Sequence, residues 1–154
     1  MKIREAGLED APFVRVCIEL LHNEVPGGII APGYETLRYI RASVDQALGG
    51  QGLVLVAQDE GGCTGALLAV DAVFPYNTNL GKTVLGLGTY VCEHARKSGL
   101  ASALYTEARR LLTERGYKHY LGAHLVGNKG AERVVERVGF APFELTVLMH
   151  LGES

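Results

Sequence analysis

The chain has 154 residues and a formal net charge of -2, and 47% of its residues are hydrophobic and 21% charged. This length predicts one domain over residues 1–154, and the composition excludes a disordered chain. The small negative charge gives no general attraction for nucleic acid or for an anionic membrane surface, so neither partner is expected.

The charges are unevenly distributed along the chain. Residues 1–90 carry six Lys or Arg against ten Asp or Glu, whereas residues 91–154 carry nine against seven. A basic second half suits an anionic cofactor, and an acidic first half suits a cationic or neutral substrate. Ordinary solvated surfaces would give the same counts, so both interpretations stay open.

The cysteines and the N-terminus indicate a cellular location. Cys17, Cys63 and Cys92 form no CxxC pair, so neither a disulfide framework nor a metal site is predicted. The N-terminal stretch MKIREAGLEDA has no apolar leader segment, and the longest apolar run, LVLVA at 53–57, is too short to cross a bilayer. We therefore expect a cytoplasmic protein.

The first third of the chain predicts a strand and two helices. Residues 2–6 form the strand, and a helix that ends near His22 follows, with Pro12 in its first turn. A loop rich in glycine and proline comes next, and a second helix over 34–48 is ended by glycines at 49, 50 and 52. The predicted apolar faces are Phe13, Val16, Cys17, Leu20 and Leu21 in the first helix, and Leu37, Ile40, Val44 and Leu48 in the second.

The rest of the chain predicts a hairpin followed by alternating strands and helices. Two apolar β-type runs at 52–58 and 63–74 flank a glycine-containing turn and should pair antiparallel. A strand at 84–93, a helix at 99–115, a strand at 117–126, a helix at 130–138 and a strand at 143–151 complete the order. This order predicts an α+β fold with a mixed sheet, in which crossover helices make neighbouring strands parallel.

The start of the helix at 99–115 has the properties of a phosphate site. An amphipathic face begins at Leu100, so the first free backbone N–H groups lie near Gly99, directly after Arg96 and Lys97. Such N–H groups attract phosphate, and small residues allow a ligand to approach the backbone closely. Taken alone, this stretch also fits an exposed turn.

Two segments resemble a known family. TYVCEHARKSGLASAL resembles the acyl-CoA-binding segment of the GCN5-related N-acetyltransferase (GNAT) family, in which a strand leads to (R/Q)-x-x-G-x-(G/A) at a helix start. NKGAERVVERVGF resembles the second signature of the family. The predicted element order matches over nearly the whole chain. The residues that carry the resemblance are Val91, Arg96, Lys97, Ser98, Gly99, Leu100 and Ala101 in the first segment, and Asn128, Ala131, Gly139 and Phe140 in the second.

The resemblance implies a GNAT-like acyl-CoA N-acyltransferase fold with acetyl-CoA as cosubstrate. Acetyl-CoA would lie in a gap between two parallel strands, near residues 87–92 and 120–126. Amides around Val91 and Cys92 would hold the thioester and pantetheine, and those from Lys97 to Ser102 the pyrophosphate. The implied cofactor-binding residues are Val91, Cys92, Arg96, Lys97, Ser98, Gly99, Leu100, Ala101, Ser102 and Asn128.

A dinucleotide site at GLGTYV is a competing interpretation that the context excludes. Its glycines, Gly86 and Gly88, lie inside an apolar β-type run. A dinucleotide fingerprint needs its glycines after a strand, at the start of a helix.

The usual catalytic side chains of the family are missing. The slot for a thiolate-protonating Tyr holds Val135, and VLGLG offers no ionisable base. His124 is the best replacement base, because strand alternation would put it on one face with Tyr120 and its pKa suits proton transfer near neutrality. Glu24 is a second candidate, as a base acting through water or as an anchor for a cationic acceptor. Tyr90 is an acid or a pocket wall.

These observations predict an N-acetyltransferase that moves an acetyl group from acetyl-CoA to a small-molecule or peptide amine by direct transfer in a ternary complex. The alternative is a CoA-binding regulatory or structural protein of the same fold with little or no transfer activity. Loops at 23–34 and 74–82 should shape the acceptor pocket, because loops carry most specificity. A homodimer through the final strand or the sheet edges stays open.

Overall fold

The computed structural model describes residues 1–23, 34–72, 80–124, 128–143, 149 and 151, except for the side chains of residues 34–36. Its strands are β1 (Lys2–Glu5), β2 (Gly52–Asp59), β3 (Gly62–Asp71), β4 (Thr83–Val91) and β5 (His119–Leu121). Its α-helices are α1 (Ala11–Asn23), α2 (Tyr34–Leu48), α3 (Leu100–Glu114) and α4 (Lys129–Val138), and short 3-10 turns lie at Leu8–Asp10 and Glu93–Ala95.

The five strands form one mixed sheet in the order β1-β2-β3-β4-β5. The first three pairings are antiparallel, and β4 pairs with β5 in parallel. The parallel pair is connected through α3, as the sequence predicts, because a parallel connection needs a crossover. The mixed α/β fold is therefore confirmed in the described part of the chain.

Helices cover both faces of the sheet. α1 and α2 pack on one face, against inward side chains of β2 and β3 such as Val56 and Leu68. α3 packs on the other face, against the alternate side chains of the same strands, such as Leu55 and Leu67. β2 and β3 are buried on both sides, which explains why their sequences are continuous apolar runs.

The predicted apolar face of the first helix needs correction. In α1 the predicted Val16 and Leu20 are exposed, and the buried side chains are Val14, Cys17 and Ile18 together with Ala11. Apolar residues lie on more than one face of α1, so their spacing alone does not show which face packs against the sheet. The second helix has the predicted bounds, with Ile40 and Val44 buried.

The strand predicted at 117–126 is also shorter than expected. β5 ends at Leu121, and residues 122–124 are irregular. Most of the strand predicted at 143–151 lies outside the described residues. No helix in the described ranges is long and apolar enough to span a membrane.

Candidate active site

The loop between β4 and α3 folds into a cradle, by which we mean residues 97–102. Lys97 and Gly99 both have positive φ, 62° and 82°, in the left-handed region. Gly99 is the N-cap of α3, and a Cβ placed on it would have no atom within 4 Å. Glycine adopts this conformation without strain, whereas Lys97 is held in it by the loop around it. The space in front of the helix start is therefore open.

The cradle presents a row of free backbone N–H groups. The first intrahelical bond of α3 runs from Ala103 N to Gly99 O at 3.0 Å. Among the residues that the structure describes, none accepts a hydrogen bond from the backbone N–H groups of residues 97–102. Adjacent N–H groups in a left-handed turn at a helix N-terminus bind anions, and the helix dipole adds to the attraction.

The polar side chains of the loop hold its shape. Ser98 Oγ donates to Ala95 O at 2.6 Å, so this hydroxyl fixes the turn from within. Arg96 Nε donates to Val91 O at 3.0 Å, and its guanidinium lies 5.5 Å from the ring centre of Tyr90. Of the other predicted cradle residues, Leu100 is buried under the helix, Lys97 is exposed, and Ala101 and Ser102 are half-buried.

β4 and β5 separate partway along β4, and the unpaired part of β4 leads to the cradle. Only three residue pairs join them in parallel, from Thr83 opposite His119 to Leu85 opposite Leu121, whereas β4 continues to Val91. Opposite β3, Leu68 pairs with Gly88 and Ala69 pairs with Gly86, so Leu87 is one extra residue that makes a β-bulge. A bulge bends its strand, and this one begins where the pairing with β5 ends. The stretch 86–91 therefore faces a gap instead of a neighbouring strand among the described residues.

The two amides predicted to face this gap differ. Cys92 N donates to Thr64 O at 2.9 Å, so this N–H belongs to the sheet. Hydrogen-bonding direction alternates along an antiparallel strand, which turns the N–H of Val91 toward the gap. Of the two predicted amides, that of Val91 is available to a ligand.

The predicted catalytic residues lie at different places. Tyr90 is 8% exposed and packs in the core on the α1–α2 face. His124 is exposed, three residues beyond the end of β5, so the alternation used to orient it does not extend that far. Glu24 lies outside the described residues.

Asn128 caps a helix. Its side-chain Oδ1 accepts a hydrogen bond from Ala131 N at 3.2 Å at the start of α4. This bond satisfies one of the free N–H groups of the first turn, as Asn does in many helices. Its predicted contact with a cofactor stays a prediction.

An aromatic cluster that was not predicted from the sequence lies beside the gap and is formed by Tyr105, Tyr120 and Phe140. The three rings pack edge to face, with centroids 5.3 to 6.0 Å apart. Burial raises the pKa of Tyr105 and raises that of Tyr120 well above its usual value. The sequence shows only three aromatic residues in different elements. Whether their rings come into contact depends on how α3 and α4 pack.

Thr89 connects this cluster to the open stretch of β4. Its buried Oγ1 has no hydrogen-bond partner within the described part of the chain. Burial raises the pKa of Tyr105 and the neighbouring Thr89 side chain acts against that rise, so the two side chains are close together. The gap thus has an anion cradle at one end and phenol and alcohol groups along its side.

The comparisons with known proteins agree with this geometry. The model of the Acetyltransferase (GNAT) family matches residues 22–140, more than half of the chain. The chain therefore belongs to the GNAT acetyltransferase family. Acetyl-CoA, the predicted cosubstrate, is the acetyl donor of this family. A comparison with curated protein sequences gives no significant match.

Solved structures share the fold at low sequence identity. A variant of the BH1408 protein from Bacillus halodurans is 20% identical, with a TM-score of 0.77 over 98% of this chain and 99% of that one. AAC(6')-Iy in complex with a bisubstrate analogue, CoA-S-monomethyl-acetylneamine, is 18% identical, with a TM-score of 0.73 over 98% and 97%. The aminoglycoside 6'-N-acetyltransferase AAC(6')-IG from Acinetobacter haemolyticus is 17% identical, with a TM-score of 0.69 over the full length of both chains.

Proposed function

We propose that the protein is an N-acetyltransferase that moves the acetyl group of acetyl-CoA directly to an amine bound beside it. The observation that carries the proposal is the row of free N–H groups at residues 97–102, opened by the left-handed Gly99. A diphosphate is negatively charged and its oxygens accept hydrogen bonds, so it fits a row of N–H donors at a helix N-terminus. Family membership supports the same cosubstrate.

The described residues divide the binding between two surfaces. The cradle amides and the positive charge of Lys97 and Arg96 hold the pyrophosphate. The outward N–H of Val91 holds a carbonyl of the pantetheine arm or of the thioester, because that edge of β4 has lost its strand partner. Alignment of the acetyl group with the amine then supplies much of the rate, since positioning alone lowers a barrier strongly.

The acceptor is an amine that must be neutral when it attacks. Four of the similar structures are of aminoglycoside N-acetyltransferases, which supports a small polyamine as the acceptor class, with a peptide amine as the other candidate. His124 is the proposed base, and Glu24 the proposed base through water or anchor for a cationic acceptor. Tyr90 lies in the core on the α1–α2 face, which supports a role as a pocket wall.

Thiol release with a panel of amines tests transfer. With acetyl-CoA, the protein should release CoA at a rate that depends on an aminoglycoside, a polyamine or a peptide amine. Tight binding of acetyl-CoA without release on any amine would favour the CoA-binding regulatory protein instead.

The cradle is tested by Gly99→Val. We expect the affinity for CoA, measured by calorimetry, to fall by about tenfold or more, because a side chain at a left-handed position shifts the loop and covers the amides. Gly116→Val is the matched control, because Gly116 also has a φ of 82° and open space, at the other end of α3. It carries a similar backbone strain but lies away from the cradle.

Equal losses of affinity in both variants would mean that strain in α3, and not the cradle, controls binding. Unchanged affinity in Gly99→Val would overturn the assignment of the cradle. Thermal unfolding of both variants checks that each one is folded at the assay temperature.

A further inference from the structure

Acetyl transfer leaves an electron pair on sulfur, and this pair must be protonated for CoA to leave as a thiol. The bond from the acceptor nitrogen to the acetyl carbon forms, and the bond from that carbon to sulfur breaks. Val135, on α4, carries an isopropyl group and has no proton to give. The proton therefore comes from another side chain at the gap or from water.

The position of the donor follows from the two binding surfaces. A ligand chain that leaves the cradle and follows the open edge of β4 runs from Val91 back toward the bulge at Leu87. Strand residues rise about 3.3 Å each, so Thr89 lies roughly midway along this path. Side chains of Val91 and Thr89 share the sheet face on which α3 packs. The donor is therefore expected on α3 or next to it.

Tyr105 meets these conditions. It lies on α3, it packs against the same apolar cluster as Val91, and the edge-to-face contacts with Tyr120 and Phe140 fix its ring. The nearby Thr89 side chain acts against the rise that burial causes in its pKa. Phe140 follows directly after α4, and its N–H donates to Val135 O at 2.9 Å. The phenol of Tyr105 thus stands beside the end of α4 that carries Val135, but it comes from the neighbouring helix.

We propose that Tyr105 is the general acid that protonates the departing thiolate of CoA, with Thr89 orienting its hydroxyl. This proposal rests on the proposed function. The phenol proton passes to sulfur, and the phenolate regains a proton from solvent, which also takes up the proton lost by the acceptor nitrogen. A phenol is protonated at neutral pH, as a donor must be, and burial raises the pKa of Tyr105 further.

Two other groups are weaker candidates. The hydroxyl of Tyr120 lies over Gly86, at the end of the open stretch of β4 that is farthest from Val91, since a Cβ on Gly86 would come within 2.7 Å of it. Tyr90 lies on the opposite face of the sheet, in the core under α1 and α2. Tyr120 is therefore farther along β4 from Val91 than Thr89 is, and Tyr90 is on the other side of the sheet.

The test compares Tyr105→Phe with Tyr120→Phe. Both variants lose one hydroxyl from the same aromatic cluster and keep the ring. For Tyr105→Phe we expect kcat to fall by about 100-fold, the usual contribution of a general acid, with the KM for acetyl-CoA and the affinity for CoA unchanged. For Tyr120→Phe we expect kcat within about threefold of wild type.

Thr89→Val is the second variant, and it keeps the volume of the side chain. It should lower kcat less than Tyr105→Phe does, and in the double variant the two losses should not multiply, because both act through one hydroxyl. Thermal unfolding of each variant shows that the cluster still packs.

The outcomes separate this inference from the proposed function. If wild type releases no thiol with any amine, the proposed function fails. If wild type is active and Tyr105→Phe is equally active, Tyr105 is not the acid. A larger loss of kcat in Tyr120→Phe than in Tyr105→Phe would also overturn the proposal.

Discussion

At the scale of single residues, Arg4 and Asp10 form the most buried ion pair in the described part of the chain. Arg4 donates to both carboxylate oxygens at 2.7 and 3.0 Å, and Gly7 N donates to the same group at 2.8 Å. The hydrogen bond from Arg4 is the main cause that holds the pKa of Asp10 below its usual value, and the Gly7 amide adds to it. This cluster ties β1 to the start of α1.

Asp10→Asn should lower the free energy of unfolding by about 1 to 3 kcal/mol at pH 7, because a hydrogen-bonded charge is lost at a buried position. A lowered pKa means that the stabilisation is complete above the unfolded pKa of about 4 and is lost as pH falls through the folded pKa. Between pH 7 and pH 3, the free energy of unfolding of the variant should therefore fall less than that of the wild type. Urea unfolding from pH 7 to pH 3 measures both effects.

Asp45→Asn is the control for that prediction. Arg15 and Asp45 are also 2.7 Å apart, but the Asp45 side chain is 63% exposed against 7% for Asp10. An exposed pair contributes little, so the change should stay within about 0.5 kcal/mol. Similar losses for both variants would show that burial does not decide the strength of these pairs.

The residue scale also shows what a sequence can reveal about the site. The position of Gly99 at a helix start was predictable, because a glycine directly before an amphipathic pattern marks such a start. The free N–H groups that follow from it depend only on the neighbouring residues of the chain. The position of Tyr105 was not predictable, because the predicted face that begins at Leu100 was read from apolar residues, whereas the phenol ring of Tyr105 also packs against the core beneath α3. The rotation of a helix about its axis is set by its neighbours, which no single window of sequence contains.

At the scale of elements, β4 is the strand that makes the gap. It contains Gly86 and Gly88 on either side of the bulged Leu87. A Cβ on Gly86 would lie 2.6 Å from the ring of Tyr120, and one on Gly88 would overlap Leu21 of α1. Both glycines therefore let neighbours approach the strand closely where it bends. Their place inside a strand was predicted from sequence, but the bulge was not, because it depends on pairing with β3.

Gly88→Ala should destabilise the protein by about 1 to 3 kcal/mol, because the added methyl group has to displace Leu21 in a packed core. Leu21→Ala removes the opposing atoms, so the double variant should lose less stability than the sum of the two single losses. Chemical denaturation of all four proteins measures the coupling. Strict additivity would mean that Gly88 and Leu21 do not share this space.

The bounds of β5 follow from the same bend. Apolar residues continue past Leu121, so the sequence pattern predicts a longer strand. A strand forms only where a partner takes its hydrogen bonds, and β4 turns away at the bulge. The element order and the bounds of α2 were predictable because they depend on local pattern, whereas the end of β5 depends on its neighbour.

At the scale of the whole molecule, binding and stability are linked. A ligand that binds only the folded state at 100 times its Kd adds about 2.7 kcal/mol, which corresponds to a Tm increase of roughly 5 to 10 °C for a chain of this size. We expect CoA to give such a shift. Pantetheine, which lacks the diphosphate, should give much less at the same concentration. Equal shifts would place the main binding energy outside the cradle.

Positive φ at Lys97 and Gly99 also limits how far α3 can grow. If α3 wound backward by one more turn, the carbonyl groups of that turn would take up the N–H groups that now point outward. The loop opposes that rewinding, because a right-handed helix would need both residues to leave the left-handed region and would break the hydrogen bond from Ser98 Oγ to Ala95 O. The conformation of the loop therefore keeps the backbone N–H groups at the start of α3 out of the hydrogen bonds of the helix.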